Sequence, residues 1–582
     1  MRLSRRTVLG LAPAVLLAGC AEVPSSGPVV EVSATPGAPA TGGLEIAPDP
    51  PAMGATPELI LAGFLAASLV PTNNYAVARQ FLTARASTAW NPASGVQVYD
   101  SDNHPPVVTD SSALLRAPLL GSIDAGGFYT SGHQPDFEHD FRLTEVGDQW
   151  RIDSPGDGVL VSRYELLRAY SVLGVHCLDR LGSGLVVQQV FLPTRSVTAT
   201  AAVQALLRGA SQWLHPAVTT AVIDGTSLAT PAVTLDADGV AQVSLTNQIG
   251  GLRDDQRRGL AAQLLWTLND RTRVSGLRIQ QQGQSFAVPG AGADGVVHAS
   301  ALAGFAPVVE PTSRDPHALV GGKLVRLVST GAIPDAELLP DGWGHSAQSF
   351  ALSTDGASLA VVADSGTRLF SAHAPASSQP TLLAEGTALL RPQFGPDGQV
   401  WALDRGAAGG RAALITAKDG QAGRVVLPDL AGAVPIAARV APGGGRLALV
   451  TSGGSADQLG FVRLRGNPDL LIDGWRPLTL VSSLGQLGVL RDVAWISSTR
   501  LVVLGAVDAS SSAEVFVVDV DASEVDSIGP GTDMQLSSLA ALPTTSGIVV
   551  SALTTDGKVL VYQDGSRWQQ YTSGASAICY QG

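Results

Sequence analysis

From residue 349 to residue 565 the chain repeats itself, and no other feature restricts its fold as much. Five stretches, 349–370, 391–415, 437–464, 492–520 and 539–565, each read as a strand, a polar turn, an apolar strand, a second polar loop and a third strand. Their starts are separated by 42, 46, 55 and 47 residues, close to the period of a four-stranded propeller blade. The apolar strands, such as "SLAVVA", "RLALV" and "RLVVLG", need neighbours on both faces. Radial stacking supplies those neighbours and leaves only short edges. Asp355-Gly356, Asp397-Gly398 and Gly443-Gly444 are expected to form the turns, so their acids read as structural. "HALVGGKLVRLVST" at 317–330 looks like part of a further blade. Residues 305–582 are therefore expected to form an all-β propeller of five to six blades.

Two α+β domains are expected ahead of it, because the periodicity there is mixed. In 57–170, "PELILAGFLAASLV" reads as a helix with Leu59, Gly63 or Phe64, and Ala67 on one face. "NYAVARQFLTARASTAW" reads as a second helix burying Val77, Phe81 and Leu82. Strand-like segments follow, and "DFRLTEVGDQWRIDSP" alternates about a Gly-Asp turn as a hairpin does. Helices followed by an antiparallel sheet resemble the NTF2-like topology. In 171–290, "SVTATAAVQALLRGA" and "RDDQRRGLAAQLLWTLND" read as helices. The first starts at Ser196 or Thr198 and stops at Gly209; the second is capped by Asp254 or Asp255, with Leu260, Leu264 and Leu268 on one face. Asp238-Gly239 and Gly283 are expected to turn hairpins.

The start of the chain is of another kind. Val8–Gly19 is apolar for twelve residues and contains Pro13, whereas crossing a bilayer as a helix takes about 20. With Arg2, Arg5 and Arg6 before it, the stretch fits a secretory signal over 1–19. Leu17-Ala18-Gly19-Cys20 resembles a bacterial lipobox. In that motif the cysteine thiol takes a diacylglycerol, cleavage makes Cys20 the N-terminus, and its amine is acylated (palmitate). Two long acyl chains hold a protein on a membrane where one does not. Arg5 and Arg6 also fit a twin-arginine export signal, with Sec export as the alternative. Residues 20–56 are rich in Pro, Gly, Ala and Ser, the composition of an extended tether reaching at most about 100 Å.

Charge narrows the partners. The formal net charge is −13, and loss of the three signal arginines makes it more negative. An acidic body disfavours nucleic acid and electrostatic adhesion to anionic lipid, which leaves anchoring to the lipid. Once Cys20 is lipidated, Cys177 and Cys579 remain. In an oxidising compartment they can form a disulfide tying the middle of the chain to its tail; two separate thiols is the favoured reading, since nothing in the sequence brings them together. Nine scattered histidines show no metal-ligand spacing, and Asp236-Ala-Asp238-Gly fails as a calcium loop after its third position. No GxSxG, Walker A or zinc helix occurs. His176 and Cys177 are adjacent on a strand and point to opposite faces. The expectation is a non-enzyme with no cofactor and no metal, with a glycosidase or lyase built around a propeller channel as the enzymatic alternative.

The lipobox followed by "AEVPSSGPV", the "YAVARQFLT…W" and "GDQWRI" stretches, the "ALLRGA…LLWTL" core of a GerMN domain and the divergent repeats together resemble the LpqB lipoprotein family of actinobacteria. The segment "GVHCLDRLGSG" departs from it, with a His and a Cys where aromatic residues are expected. The resemblance implies a cell-membrane lipoprotein on the extracytoplasmic face that associates with the external domain of the Mtr-type sensor histidine kinase. It further implies modulation of that two-component system in envelope homeostasis and division. A cell-wall glycan or peptidoglycan ligand is the competing binding hypothesis.

Overall fold

The computed structural model describes residues 48–582, except 103, 110, 310, 335–338, 340–345, 374–379, 396–397, 407–409, 419, 468, 531–533 and 564–566. Residues 47–582 form one compact unit, in which three modules follow one another along the chain.

The first module packs helices on a sheet. Pro57 starts the helix Pro57–Ala67, where its missing N–H is no loss. The buried face is Ile60, Leu61, Phe64 and Ala67. Leu59 is 61% exposed, which corrects the expected face by one position. Gly63 lies against the Phe81 ring, and a Cβ there would overlap it. The second expected helix is broken into three pieces: Thr72–Tyr75, a 3-10 turn Ala78–Phe81, and Ala84–Ala89. Asn73 and Asn74 take left-handed conformations inside it, which a short polar side chain tolerates. Thr83 restarts the helix by accepting from the Ala86 N–H at 3.1 Å, while its own N–H donates to the Ile152 carbonyl. Phe81 and Leu82 remain in the core. The sheet is mixed rather than purely antiparallel, because Val96–Tyr99 pairs in parallel with Val159–Ser162. The hairpin Leu143–Glu145 to Trp150–Ile152 forms as read. Gly147 and Asp148 both have φ of 55°, the twist a two-residue hairpin favours.

The second module carries a long hairpin, Tyr170–Leu178 with Leu185–Pro193, and a sheet in which Val240–Leu245 runs parallel to Gly276–Gln281. A parallel pair needs a crossover, and the helix Asp254–Thr272 provides it. Leu260, Leu264 and Leu268 are completely buried. The cap is Arg253, whose N–H donates to Gln256 Oε1 at 3.0 Å. Asp254 and Asp255 occupy the first turn instead, where their charge suits the helix dipole. Ala199–Arg208 is capped by Thr198 and stopped by Gly209, as read.

Among the described residues the third module contains six four-stranded sheets, numbered here blades 1–6 by their first strands: His317–Val320, Ala347–Leu352, Gln393–Phe394, Val434–Val440, Val489–Trp495 and Leu536–Leu542. Blade 1 takes its inner strand from the end of the chain: Ala575–Cys579 pairs antiparallel with His317–Val320, closing the ring. The widest repeat spacing reflects an extra hairpin, Val481–Ser482 with Gly485–Gln486, between blades 4 and 5. Asp355 accepts from Ser353 Oγ at 2.5 Å and from the Ala357 N–H at 3.0 Å, the structural role expected of it. Asp397 lies outside the described residues.

Candidate ligand site in the propeller channel

The inner strands surround a channel, and blades 3, 4 and 5 bring charge into it. Asp492, on the inner strand of blade 5, is 7% exposed. Its Oδ2 accepts from Arg391 Nη2 and from the Leu539 N–H, both at 2.8 Å. Its Oδ1 accepts from the Val493 N–H at 2.9 Å. Arg439 Nη2, from blade 4, stands 3.9 Å from Oδ1. The other bond of this guanidinium runs from Nη1 to the Ala438 carbonyl at 2.6 Å. Burial, with Arg391 beside it, pushes Arg439 down to about 9. It stays charged at neutral pH, so two guanidiniums face one carboxylate that is already well supplied with donors.

Arg391 and Arg439 line two voids, one on either side of them. The smaller, of about 260 Å³, is edged by Gln348, Ser538 and the exposed Arg491. The larger has a volume of about 660 Å³, within the range of small-molecule sites. Its walls include Phe350, Trp401 and Trp495, and the loop Asp179–Leu185 of the second module borders it. The Trp401 indole N–H finds no acceptor among the described residues. Two acids on the rim are engaged by their own loops. Asp355 holds the turn described above, and Asp179 accepts from the Leu181 and Ser183 N–H groups at 3.1 and 2.8 Å. Sequence reading missed this site. Its only linear trace is a basic residue in or beside the inner strand of three successive repeats, Arg391, Arg439 and Arg491.

A second constellation fixes the modules to one another. Trp213, in the loop after Ala199–Arg208, donates from Nε1 to the Gly474 carbonyl at 2.9 Å. Arg463 and Arg476 each place a guanidinium 5.9 Å from its ring centre. Arg446 is buried and donates to the Val187 carbonyl. Gly443 lies so close to Leu185 that a Cβ would overlap its carbonyl oxygen; this contact requires glycine there, whereas the left-handed residue of the turn is Gly444. The first module joins through Arg163 Nη1 to the Val481 carbonyl at 3.1 Å and Arg476 Nη2 to Thr130 Oγ1 at 3.2 Å.

The residues singled out by sequence are distributed as follows. Arg5, Arg6, Leu17, Ala18, Gly19 and Cys20 lie outside the described residues. Cys177 and Cys579 are both free and buried, the two separate thiols favoured from the sequence and not the alternative disulfide. Cys177 belongs to the second module and feels Arg446, whereas Cys579 sits on the ring-closing strand near Arg391 and Arg439. Burial pushes the Cys177 thiol up to about 12, far from a reactive thiolate. The His176 imidazole is lowered to about 4 by burial, and the backbone N–H of the same residue donates to Thr267 Oγ1 at 3.0 Å. Asp236 accepts from the Asp238 and Val240 N–H groups, so it serves the hairpin turn. No group of three or more metal-ligating side chains occurs among the described residues. No described helix is long and apolar enough to cross a membrane.

Comparison with known proteins bears on all three modules. Residues 50–167 match the model described as "Lipoprotein LpqB, N-terminal domain", 182–286 match "Sporulation and spore germination", and 322–578 match "Lipoprotein LpqB beta-propeller domain". Lipoprotein LpqB of Cutibacterium acnes is 33% identical over 99% of each chain. The chain belongs to the LpqB lipoprotein family. Its relative in Rhodococcus opacus is 28% identical over 89% of this chain and 87% of its own. A solved structure described as putative TolB from Agrobacterium tumefaciens covers 45% of this chain and 92% of its own at 14% identity, with a TM-score of 0.31. Family membership makes the channel arginines and the Trp213 joint features of a lipoprotein, built on the LpqB modules.

Proposed function

We propose that this lipoprotein is anchored through Cys20 on the extracytoplasmic face of the membrane and acts there, without catalysis, as an accessory protein of a sensor histidine kinase of the Mtr type. It binds the external domain of the kinase and adjusts two-component signalling in envelope homeostasis and division. The observation that carries this reading is the near full-length match to lipoproteins of the LpqB family. The docked modules support it, because a rigid body at the end of a tether meets a partner in the same membrane at raised effective concentration. The test measures binding of the purified mature chain to the kinase external domain, with cell-wall glycan fragments as the comparison. Affinity for the kinase domain in the micromolar range or better, about −8 kcal/mol, supports the proposal; binding of glycan alone replaces it. Cys20→Ser is expected to release the protein from the membrane fraction or to block signal removal. Full retention with normal processing would refute the anchor.

A further inference from the structure

We infer that the larger channel void is a binding site for a small organic carboxylate, whose anionic group is held by Arg391 and Arg439 and whose body fills the rest of the void. The inference goes beyond kinase binding and does not rest on it.

Three observations converge. The first is charge: Arg439 is 11% exposed, and its acidic neighbour lies 3.9 Å away. That neighbour, Asp492, already accepts from Arg391 and two backbone N–H groups. A guanidinium carries five N–H donors, and the bonds of Arg439 within the chain use few of them. A buried cation lacking a close counter-charge is costly, and an incoming carboxylate would offset that cost through charge-assisted bonds. The second is space: about 660 Å³ opens beside the two arginines, enough for a molecule larger than a bare ion. The third is the wall, where Phe350, Trp401 and Trp495 are packed into the blades with less than 5% of each exposed, so the void has fixed sides. The rim acids Asp179 and Asp355 are turned to their own loops, and the floor remains cationic. Two kinds of molecule share this chemistry, a sugar acid and a peptide with a free C-terminal carboxylate.

The test titrates the purified full-length mature chain calorimetrically with glucuronic acid, with N-acetyl-dialanine, and with glucose as the neutral control. Binding of at least one acid tighter than about 1 mM, against none for glucose, is expected. Whichever acid binds identifies the source. Arg439→Gln is expected to weaken binding at least tenfold, and Arg439→Lys by less. A substitution at a buried position can unfold the blade, so the native chain provides a second readout. The neutral amides of the two acids, glucuronamide and N-acetyl-dialanine amide, should bind it no better than glucose, because the carboxylate is the group the arginines hold. The inference is overturned if neither acid binds more tightly than glucose, if the amides bind as the acids do, or if a folded Arg439→Gln chain binds as the native one does.

Discussion

Asp404 has no solvent contact on its side chain, and its carboxylate organises the edge of blade 3. It accepts from Ala388 N–H at 2.9 Å, Thr387 N–H at 3.2 Å and Gly406 N–H at 3.1 Å, with Arg424 Nη2 at 2.7 Å. Burial raises this carboxyl, but those donors prevail and hold it below its ordinary value. Its contribution is therefore present above pH 4 or so and lost as pH falls through the depressed folded value. Asp404→Ala is expected to cost about 2–4 kcal/mol, because it strands buried donors and a guanidinium; urea unfolding at pH 7 measures this. Asp519 in blade 5 behaves in the opposite sense. Burial first, then Asp521, raise it to about 7, and Arg500 at 3.2 Å only partly offsets them. The folded chain holds a proton there that the unfolded chain releases near pH 4. Stability from this group accordingly declines as pH rises from about 4 through 7. Asp519→Asn should flatten that decline, with its thermal midpoint above that of the native chain at pH 8 and close to it at pH 5. A calorimetric scan at the two pH values decides.

At the scale of elements, the loop carrying Trp213 matters more than its length suggests. The indole is clamped by two arginines and a carbonyl of blade 4. Trp213→Ala should remove about 2–4 kcal/mol from the joint between the modules. Hydrogen exchange is then expected to accelerate in 185–193 and 458–477 while blades 1 and 2 stay protected. Equal acceleration in every blade would show that the loop stabilises the propeller itself. Gly443→Ala should loosen the same joint by steric overlap with Leu185. Hairpins and long amphipathic helices were legible in the sequence, because Gly147-Asp148 and the Leu260, Leu264, Leu268 spacing are local signals. Residues 72–89 were not. Their periodicity favours one helix, yet left-handed Asn73 and Asn74 and the pairing of Thr83 with Ile152 break it, and that pairing joins residues about seventy positions apart.

For the whole molecule, the ring depends on its last strand. Removing residues 575–582 leaves blade 1 without its inner strand and exposes an unpaired edge. The truncated chain is expected to lose cooperative unfolding of the propeller when its melting is followed by circular dichroism; a truncated chain that melts as the native one does would show that the ring does not depend on this strand. Legible in the residues alone were the order of two α+β modules and a repeated β module, and the absence of familiar catalytic motifs. Each of these is written in adjacent residues or in a regular period. The folded chain closes the ring with its tail and keeps the thiols of Cys177 and Cys579 apart. It alone set Arg391, Arg439 and Asp492 around one channel. Those residues belong to three blades, and side chains so far apart in sequence meet only because the curvature of the ring brings every inner strand to the same axis.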